Sequence, residues 1–282
     1  MQEIQFMNIQ SKHSENKPVR NSSSLKRKNR CKRRPFRIFI LSIGLILTGT
    51  IAISFLSGLS YKGSIIIGNR LMYRSEEGSA DATYEALLDS LDHNPEIADF
   101  VKKYPKIKDQ APGTFTANEL SNKESIVLQW DERFGIAPYG DSIVALSGCG
   151  PTCLSIISLY LNPDSALTPP EIANFSAKNG YYVSGVGTDW SLMTAGASHL
   201  GLQGTEISLS ESVMNTYLDS GNPIVCSVGP GDFTTTGHFI VLLKTSDGKY
   251  VVRDPNSIER SKKLWTYEDL SSQIRNLWAF SL

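Results

Sequence analysis

The 282-residue chain carries 28 basic and 28 acidic side chains, and this overall neutrality hides a divided molecule. Residues 1–37 contain 11 Lys or Arg against 2 Asp or Glu, whereas the remaining residues contain 17 basic and 26 acidic side chains. Only Cys31 of the four cysteines lies in the basic tail, and the other three, an odd number, exclude a disulfide framework that pairs them all. No second histidine stands at ligand spacing from a cysteine, so we expect no bound metal and no cofactor.

A stretch without any charged residue follows the basic tail directly. It runs from Ile38 to Leu59 and covers 22 positions. At about 1.5 Å per residue, a helix of this length spans roughly the 30 Å hydrocarbon core of a bilayer. Positive residues stay on the cytoplasmic side. We therefore expect a single-pass cell-membrane protein with a cytoplasmic tail at residues 1–37, a transmembrane helix at residues 38–59 and an extracellular remainder.

Nucleic-acid binding and a cleavable signal peptide are the alternatives to a membrane anchor in this region. A basic run also occurs in nucleic-acid-binding proteins, but a run that ends at an uncharged apolar stretch is better accounted for by membrane topology, so we expect no nucleic-acid partner. A cleavable signal peptide stays open. Against it are the long tail, an apolar run longer than the usual 7–15 residues, and no clear small-x-small site after Leu59. The protein is exported in either case.

Residues 60–123 are predicted to form a helical stalk and linker. Ser79-Ala80-Asp81 offers a cap for a helix that runs through Leu91, and Pro95 to Tyr104 has the spacing of a second helix. The polar segment from Pro105 to Asn122 contains Pro, Gly, Thr and Asn, a composition that is typical of a linker. A propeptide that lies over a substrate cleft is an alternative that stays open.

The C-terminal 159 residues, 124–282, suffice for one folded core. Helices are predicted at Pro151 to Leu161, Pro170 to Lys178, Trp190 to Leu200, Glu211 to Ser220 and Tyr267 to Asn276. Strands are predicted at Pro223 to Val228, Phe239 to Thr245, Lys249 to Asp254 and Trp278 to Leu282. Helices followed by mostly adjacent strands indicate an α+β fold with an antiparallel sheet.

Cys149 stands where one of these helices begins, between Gly148 and Gly150. The free amide groups and the positive dipole end of a helix favour an anion, so we expect a thiolate there. The flanking glycines leave little side-chain bulk between the sulfur and an incoming carbonyl carbon. Cys153 and Cys226 lie among apolar residues, and we expect them to be buried and inert.

A thiolate nucleophile needs a base, and among the four histidines only His238 stands in a suitable setting. His238 follows the flexible run from Gly229 to Gly237 and opens a predicted strand. Its side chain is therefore expected at a strand end, beside a loop that can admit substrate. His13 lies in the basic tail, His93 in the predicted stalk and His199 within a predicted helix, where a structural role is expected.

Asp254 is brought to His238 by the predicted register of a hairpin. A three-residue loop, Ser246-Asp247-Gly248, gives a pairing in which Asp254 is the diagonal neighbour of His238 on the same face, about 7–8 Å away. A two-residue Asp247-Gly248 turn would shift the register by one residue and send the two side chains to opposite faces. We therefore predict the three-residue loop. A turn-initiating role for Asp254 is the structural alternative, and Asn256 is a weaker candidate for orienting the histidine.

Five short segments in order resemble the C39-like (papain-like) cysteine peptidases over about residues 124–282. They are Gln129-Trp130-Asp131, Ser147-Gly148-Cys149-Gly150-Pro151-Thr152, Gly187-Thr188-Asp189-Trp190, Gly237-His238-Phe239-Ile240-Val241 and Asp254-Pro255-Asn256-Ser257. The resemblance implies a papain-like fold, in which a helix that bears Cys149 packs on an antiparallel sheet that bears His238 and Asp254. It implies that Cys149 is the nucleophile and His238 the base. It also implies that Asp254 orients the histidine and that the Gln129 amide, which cannot ionise, donates to the oxyanion.

The implied activity is that of a membrane-anchored, extracytoplasmic peptidase that acts on a peptide, a protein or a cell-wall peptide. Family members that process double-glycine leader peptides usually carry the glutamine only a few residues before the cysteine and are fused to a transporter with an ATPase. Gln129 precedes Cys149 by 20 positions, and no Walker A loop is recognisable, so leader processing coupled to export is not implied. A cell-wall peptide amidase or transpeptidase with the same triad and a catalytically inert peptide-binding module stay as alternatives.

Overall fold

The computed structural model describes residues 81–282. The basic tail, the predicted transmembrane helix at residues 38–59 and the first part of the predicted stalk lie outside this range. None of the helices within residues 81–282 is both long enough and apolar enough to cross a membrane.

Capping residues define the helices at the start of the described range. These are α1 (Ala82–Ser90), a 3₁₀ turn (Pro95–Ile97), α2 (Ala98–Ile107) and α3 (Ala117–Ser121). Asp81 accepts hydrogen bonds from two backbone N–H groups in the first turn of α1, which is the cap that the sequence predicted. Thr116 forms a reciprocal capping box with Glu119 at the start of α3. The polar segment 105–122 therefore contains the end of α2 and one further short helix.

The middle of the chain is mainly helical. It contains β1 (Pro138–Tyr139), β2 (Ser142–Ile143), α4 (Val144–Ser147), α5 (Cys149–Leu161), α6 (Pro169–Lys178), β3 (Tyr182–Val183), β4 (Gly187–Thr188) and α7 (Ala195–His199). The predicted helix at residues 190–200 is divided, because Thr194 leaves the helical region with φ −118° and ψ −84°. A 3₁₀ turn (Trp190–Met193) precedes this break, and α7 follows it.

A six-stranded antiparallel sheet occupies the C-terminal part. Its elements are β5 (Gln203–Glu206), α8 (Glu211–Asp219), β6 (Ile224–Val228), β7 (His238–Ser246), β8 (Lys249–Arg253), α9 (Ile258–Lys262), β9 (Leu264–Trp265), α10 (Tyr267–Ser271) and β10 (Ile274–Ser281). The strand order is β5-β10-β6-β7-β8-β9. The predicted helix at residues 267–276 is too long, because β10 starts at Ile274 and pairs with both β5 and β6. The sequence did not predict the short edge strands β5 and β9.

The hairpin of β7 and β8 turns on two residues and not on three. Asp247 and Gly248 both have positive φ, at 52° and 71°, which is what a type I′ turn requires. Ser246 accordingly pairs with Lys249. The predicted three-residue loop is wrong. The type I′ turn fits the right-handed twist of the two strands, and Ser246 belongs to β7 and not to the loop.

A β-bulge in β7 corrects the register that this turn would otherwise shift. Leu243 is an extra residue without a partner in β8, so the pairing beyond it slips by one position and Val241 lies opposite Arg253. The register from this point onward equals the predicted one. His238 and Asp254 therefore meet on one face of the sheet, although the turn itself differs from the prediction.

Apolar layers cover both faces of the sheet. Helix α5 packs on one face, with α6 packed against α5, and α8 packs on the other face. A third apolar cluster joins α1 and α2 to the segment just before the Cys149 helix. Its buried members are Tyr84, Leu87, Leu88, Ile97, Phe100, Val101, Tyr104, Ile136, Ile143 and Ala145. Residues 81–107 thus pack against the segment that leads into α5.

Candidate active site

Cys149 is the first residue of α5, and its side chain is half-buried. The N–H groups in the first turn of a helix lack intrahelical partners and attract negative charge. A Cβ atom at Gly150 would lie 2.5 Å from the hydroxyl oxygen of Thr188, so only glycine fits where the start of α5 meets β4. The sulfur of Cys149 therefore lies at the dipole end of a helix whose start is packed closely against a neighbouring strand.

His238 is the first residue of β7, the strand that packs against α5. Its Nε2 is 2.7 Å from Oδ1 of Asp254, which leaves Nδ1 as the ring nitrogen available to Cys149, whose side chain interacts with the ring. Burial of the ring opposes a positive charge, but the Asp254 carboxylate and the hydrogen bonds with Asp254 and Cys149 outweigh this effect. Together they raise the pKa of His238 from the ordinary 6.5 to about 10. The imidazole is therefore held in its protonated form at neutral pH.

Asp254 is fully buried, at 0% exposure, and both of its carboxylate oxygens have donors. Oδ1 accepts from His238 and also from the backbone N–H of Asn256 at 2.7 Å. Oδ2 accepts from Nε of Arg260 at 2.5 Å. Burial by itself would raise the pKa of this carboxyl, but His238 and Arg260 hold it below its usual range. Asp254 is thus an anion placed to orient the imidazole, and Asn256 supports it through the backbone.

Arg260 is a member of this cluster that the sequence did not reveal. It lies in α9, whose N-cap is Ser257, and the Oγ atom of Ser257 accepts from the Arg260 N–H at 3.1 Å. A buried carboxylate needs donors on both oxygens. That requirement points to the basic residues near Asp254 in the sequence. The sequence does not predict α9, however, so it gives no sign that Arg260 lies one helical turn after Ser257.

Gln129 bridges the segments that carry the cysteine and the aspartate. Its side chain is 4% exposed, and Nε2 donates to the carbonyl of Ala145 at 2.8 Å. Its backbone N–H donates to the carbonyl of Pro255 at 2.8 Å. Within residues 81–282, Oε1 of Gln129 has no hydrogen-bond partner. Gln129 is not among the residues that line the cavity over Cys149, and its predicted role as an oxyanion donor stays a prediction.

A cavity of about 620 Å³ opens over Cys149 and His238. Its wall includes Leu146, Val186, Gly187, Trp190, Phe233 and Phe239. Trp190 is 46% exposed and stands edge-on to Trp278, with ring centroids 5.5 Å apart. Cys149 and His238 therefore line a cleft that has aromatic residues in its wall and is of a size typical of ligand pockets.

A second cavity, of about 410 Å³, continues the first one. Both cavities are lined by Leu146, Phe233, Thr234, Thr236 and Asn256. The far wall of the second cavity belongs to the N-terminal helices and contains Ser90, His93, Asn94 and Ile97. The cleft thus extends from Cys149 to the end of α1.

The other cysteines differ from Cys149 in their surroundings. Cys153 and Cys226 are 0% exposed, as predicted, and burial raises the pKa of both thiols. His199 is an exposed residue whose Nδ1 lies 2.8 Å from the carbonyl oxygen of Ala195. Within the part of the chain that the structure describes, no group of three or more His, Cys, Asp or Glu side chains has the arrangement of a metal site.

Comparisons with known proteins point to one family. A model of the Peptidase_C39 like family matches residues 125–280, which is more than half of the chain. No curated protein matches. The peptidase domain of Streptococcus ComA, a bifunctional ABC transporter involved in quorum sensing, aligns at 20% identity and a TM-score of 0.37 over 48% of this chain and 89% of its own. A protein from Bacillus anthracis described as a C39-like peptidase aligns at 17% identity and a TM-score of 0.33 over 57% of this chain and 95% of its own.

Proposed function

The chain belongs to the Peptidase_C39 like family, and on this premise we propose that it is a membrane-anchored, extracytoplasmic cysteine peptidase. It hydrolyses peptide or amide bonds with Cys149 as nucleophile, His238 as base and Asp254 as orienting carboxylate. The observation that carries the proposal is the buried hydrogen bond between His238 and Asp254 at the base of an open cleft whose lining includes both Cys149 and His238. Its substrates are peptides, proteins or cell-wall peptides.

The reaction follows from the contacts of His238. Nε2–H donates to Asp254 and fixes the ring, so Nδ1 is the atom that exchanges a proton with Cys149 and with the leaving amine. The thiolate of Cys149 attacks the carbonyl carbon of the substrate, and the resulting oxyanion accepts from N–H groups at the start of α5 and from Gln129. Nδ1–H then protonates the departing amine as the C–N bond breaks. Water, deprotonated by the same nitrogen, hydrolyses the thioester and regenerates the thiol.

The membrane-anchored part of the proposal rests on the sequence. The uncharged segment at residues 38–59 follows a tail with a large excess of Lys and Arg, so the tail is cytoplasmic and the catalytic part is outside. Protease treatment of intact cells should digest residues 124–282 and spare an epitope on residues 1–37. Protection of the C-terminal part would contradict this topology. Loss of the N-terminal epitope from the mature protein would indicate a cleaved signal peptide instead.

Iodoacetamide labelling across pH tests the chemical part of the proposal. The full-length protein in detergent is labelled, and the Cys149 peptide is quantified by mass spectrometry beside the Cys149→Ala and His238→Ala variants. Labelling of Cys149 that stays fast well below pH 8 and slows without His238 supports an activated thiolate. Cys153 serves as the internal control, because it is fully buried.

Two further outcomes would change the conclusion. Slow labelling of Cys149 with the pH dependence of an ordinary thiol would favour a catalytically inert peptide-binding module. Fast labelling together with transfer of an acyl group to an amine acceptor, in place of water, would favour a transpeptidase. Peptidase and transpeptidase activity are therefore distinguished by whether water or an amine accepts the acyl group from Cys149.

A further inference from the structure

Asn94 and Glu96 reach from the N-terminal helices to the segment that follows Asp254. Nδ2 of Asn94 donates to the main-chain carbonyl of Asn256 at 2.8 Å and to its side-chain Oδ1 at 2.9 Å. The carboxylate of Glu96 accepts from the backbone N–H of Ile258 at 2.8 Å and from the hydroxyl of Ser257. Four hydrogen bonds therefore join residues 94–96 to the segment 256–258, which we call the acid loop.

Each of these contacts is made by Asn256, which donates to the Asp254 carboxylate, or by a residue within two positions of it. The backbone N–H of Asn256 donates to Oδ1 of Asp254, and Asn94 fixes the carbonyl and the side chain of the same Asn256. Ser257 caps α9 and binds the backbone of Arg260. Nε of Arg260 in turn donates to Oδ2 of Asp254. Asn94 thus supports the donor to one oxygen of Asp254, and Glu96 supports the helix that carries the donor to the other.

Burial separates these contacts from ordinary surface hydrogen bonds. Asn94 is 8% exposed and Ser257 is 1% exposed, so neither is freely solvated, and the loss of one partner leaves a buried polar group without a hydrogen bond. The turn that bears Glu96 is also fixed from the other side, because Ile97 and Phe100 belong to the buried apolar cluster. Asn94 and Glu96, which bind the acid loop, therefore lie on a segment that is itself fixed by packing.

The family model begins at residue 125, so both residues lie outside the part of the chain that it matches. We propose that Asn94 and Glu96 are positioning residues for Asp254 and that the helical segment 81–107 is a required part of the peptidase site. The inference rests on the proposed peptidase function, because it assigns these residues a task in the Cys149–His238–Asp254 series. They act through the acid loop and touch neither substrate nor reacting atoms.

Variants of the two residues test the proposal by the ratio of Cys149 alkylation rates at about pH 6 and about pH 9.5. Asn94→Asp keeps the side-chain oxygen that accepts from the Glu96 N–H and removes the donor to Asn256. Glu96→Ala removes both acceptors, and Glu96→Gln restores one of them. We expect the rate at about pH 6 to fall about tenfold in Asn94→Asp and in Glu96→Ala, with partial recovery in Glu96→Gln and little change at about pH 9.5.

Asp92→Asn is the matched control, because Asp92 is an exposed carboxylate between α1 and the 3₁₀ turn, whereas the four hydrogen bonds to the acid loop come from Asn94 and Glu96. Thermal unfolding of each variant shows that it is folded. An equal loss of labelling at both pH values would mean a structural role only and would overturn the proposal. The proposal would also be overturned if the wild type labels fast at about pH 6 and the variants label at the same rate. A wild type that labels as an ordinary thiol would instead overturn the peptidase function, so the two failures are distinguishable.

Discussion

His238 keeps its proton in the folded protein at pH values where an unfolded chain releases it. Burial of the ring opposes this, but the charge and the hydrogen bond of Asp254, with a smaller contribution from Cys149, outweigh burial and raise the pKa of His238. A group whose pKa is raised by folding contributes stability below its unfolded pKa of 6.5 and loses that contribution as the pH rises toward the folded value. We therefore expect the free energy of unfolding of Cys149→Ala to fall with pH between about 6.5 and about 8, by up to about 1.4 kcal/mol per pH unit.

The experiment uses the Cys149→Ala variant so that the thiol does not contribute to the pH dependence of unfolding. The substitution leaves His238 with Asp254 as its partner, so the pH dependence of unfolding reports on that pair. Urea unfolding is measured at several pH values for Cys149→Ala and for Cys149→Ala combined with His238→Gln. Equal slopes in the two proteins would contradict the raised pKa of His238.

Arg260 gives a second prediction, because it holds the oxygen of Asp254 that His238 does not bind. Arg260→Gln removes a charged donor from a fully buried carboxylate, and hydrogen bonds to charged groups contribute about 1.5–3 kcal/mol. We expect kcat/KM to fall by about 10- to 100-fold. We also expect the acid side of the pH profile to move to higher pH, since Asp254 protonates more easily without the guanidinium.

The control for this variant is Arg275→Gln. The guanidinium of Arg275 binds carbonyls of its own strand and its neighbouring turn, away from Asp254. A pH profile of Arg260→Gln that coincides with that of the wild type would show that Arg260 serves only to fix α9.

Gln129 is the predicted site residue whose role has the least structural support. If its free amide hydrogen stabilises the oxyanion, Gln129→Ala lowers kcat by about 10²- to 10³-fold with little change in KM. Gln129→Glu keeps the size of the side chain and replaces the donor by a negative charge, so it should be equally impaired. A kcat of Gln129→Ala within a few-fold of the wild type would limit Gln129 to bridging Ala145 and Pro255.

At the scale of elements, the sequence predicted the helix of Cys149 and the strand of His238 within two residues of their observed starts. Both depend on local signals, namely a glycine and proline at a helix start and an apolar run after a glycine-rich loop. The hairpin was harder to predict, because Asp247-Gly248 fits either a two-residue turn or the end of a three-residue loop. A bulge at Leu243 has no signal in the sequence, since Leu243 is one of five consecutive apolar residues that begin at Phe239. The correct pairing of His238 with Asp254 therefore followed from a compensation that the sequence did not reveal.

The remaining differences have one physical origin. Residues 272–276 were assigned to a helix, but β10 obtains partners on both sides from β5 and β6, and this long-range pairing outweighs local helix propensity. Arg260 was missed for a related reason, because α9 is short and is stabilised by Ser257 and Glu96 and not by its own periodicity. A short helix such as α9 depends on contacts that a linear pattern does not contain.

At the scale of the whole molecule, the helices α1 and α2 are joined to the part that matches the family model, residues 125–280, through the third apolar cluster. The helices at residues 82–90 and 98–107 agree closely with the prediction, but their docking against Ile136, Ile143 and Ala145 was not predicted. The apolar stripe of α2 showed that it has a partner and gave no information about which surface that is. The predicted anchor at residues 38–59 lies outside the described residues and stays a prediction.

Phe100 offers a measurement of how firmly this docking links the two parts. It is 2% exposed, and a Cβ at Gly135 would lie 2.8 Å from its ring, so there is no slack around it. Phe100→Ala should lower the free energy of unfolding by about 3–5 kcal/mol. Leu120→Ala is the control, because Leu120 is 37% exposed on α3 and its loss should cost no more than about 0.5 kcal/mol.

Hydrogen exchange distinguishes a joint unit from a loosely attached one. If α2 and the sheet unfold together, amides of α2 and of β7 exchange with the same free energy in the wild type, and Phe100→Ala lowers both by the same amount. If α2 opens separately, only its own amides respond to the substitution. Separate opening would also release Asn94 and Glu96 from the acid loop, so it would allow a folded core to lose the support of Asp254. A single free energy for both elements would mean that the protein forms its catalytic carboxylate site only when residues 81–107 are docked.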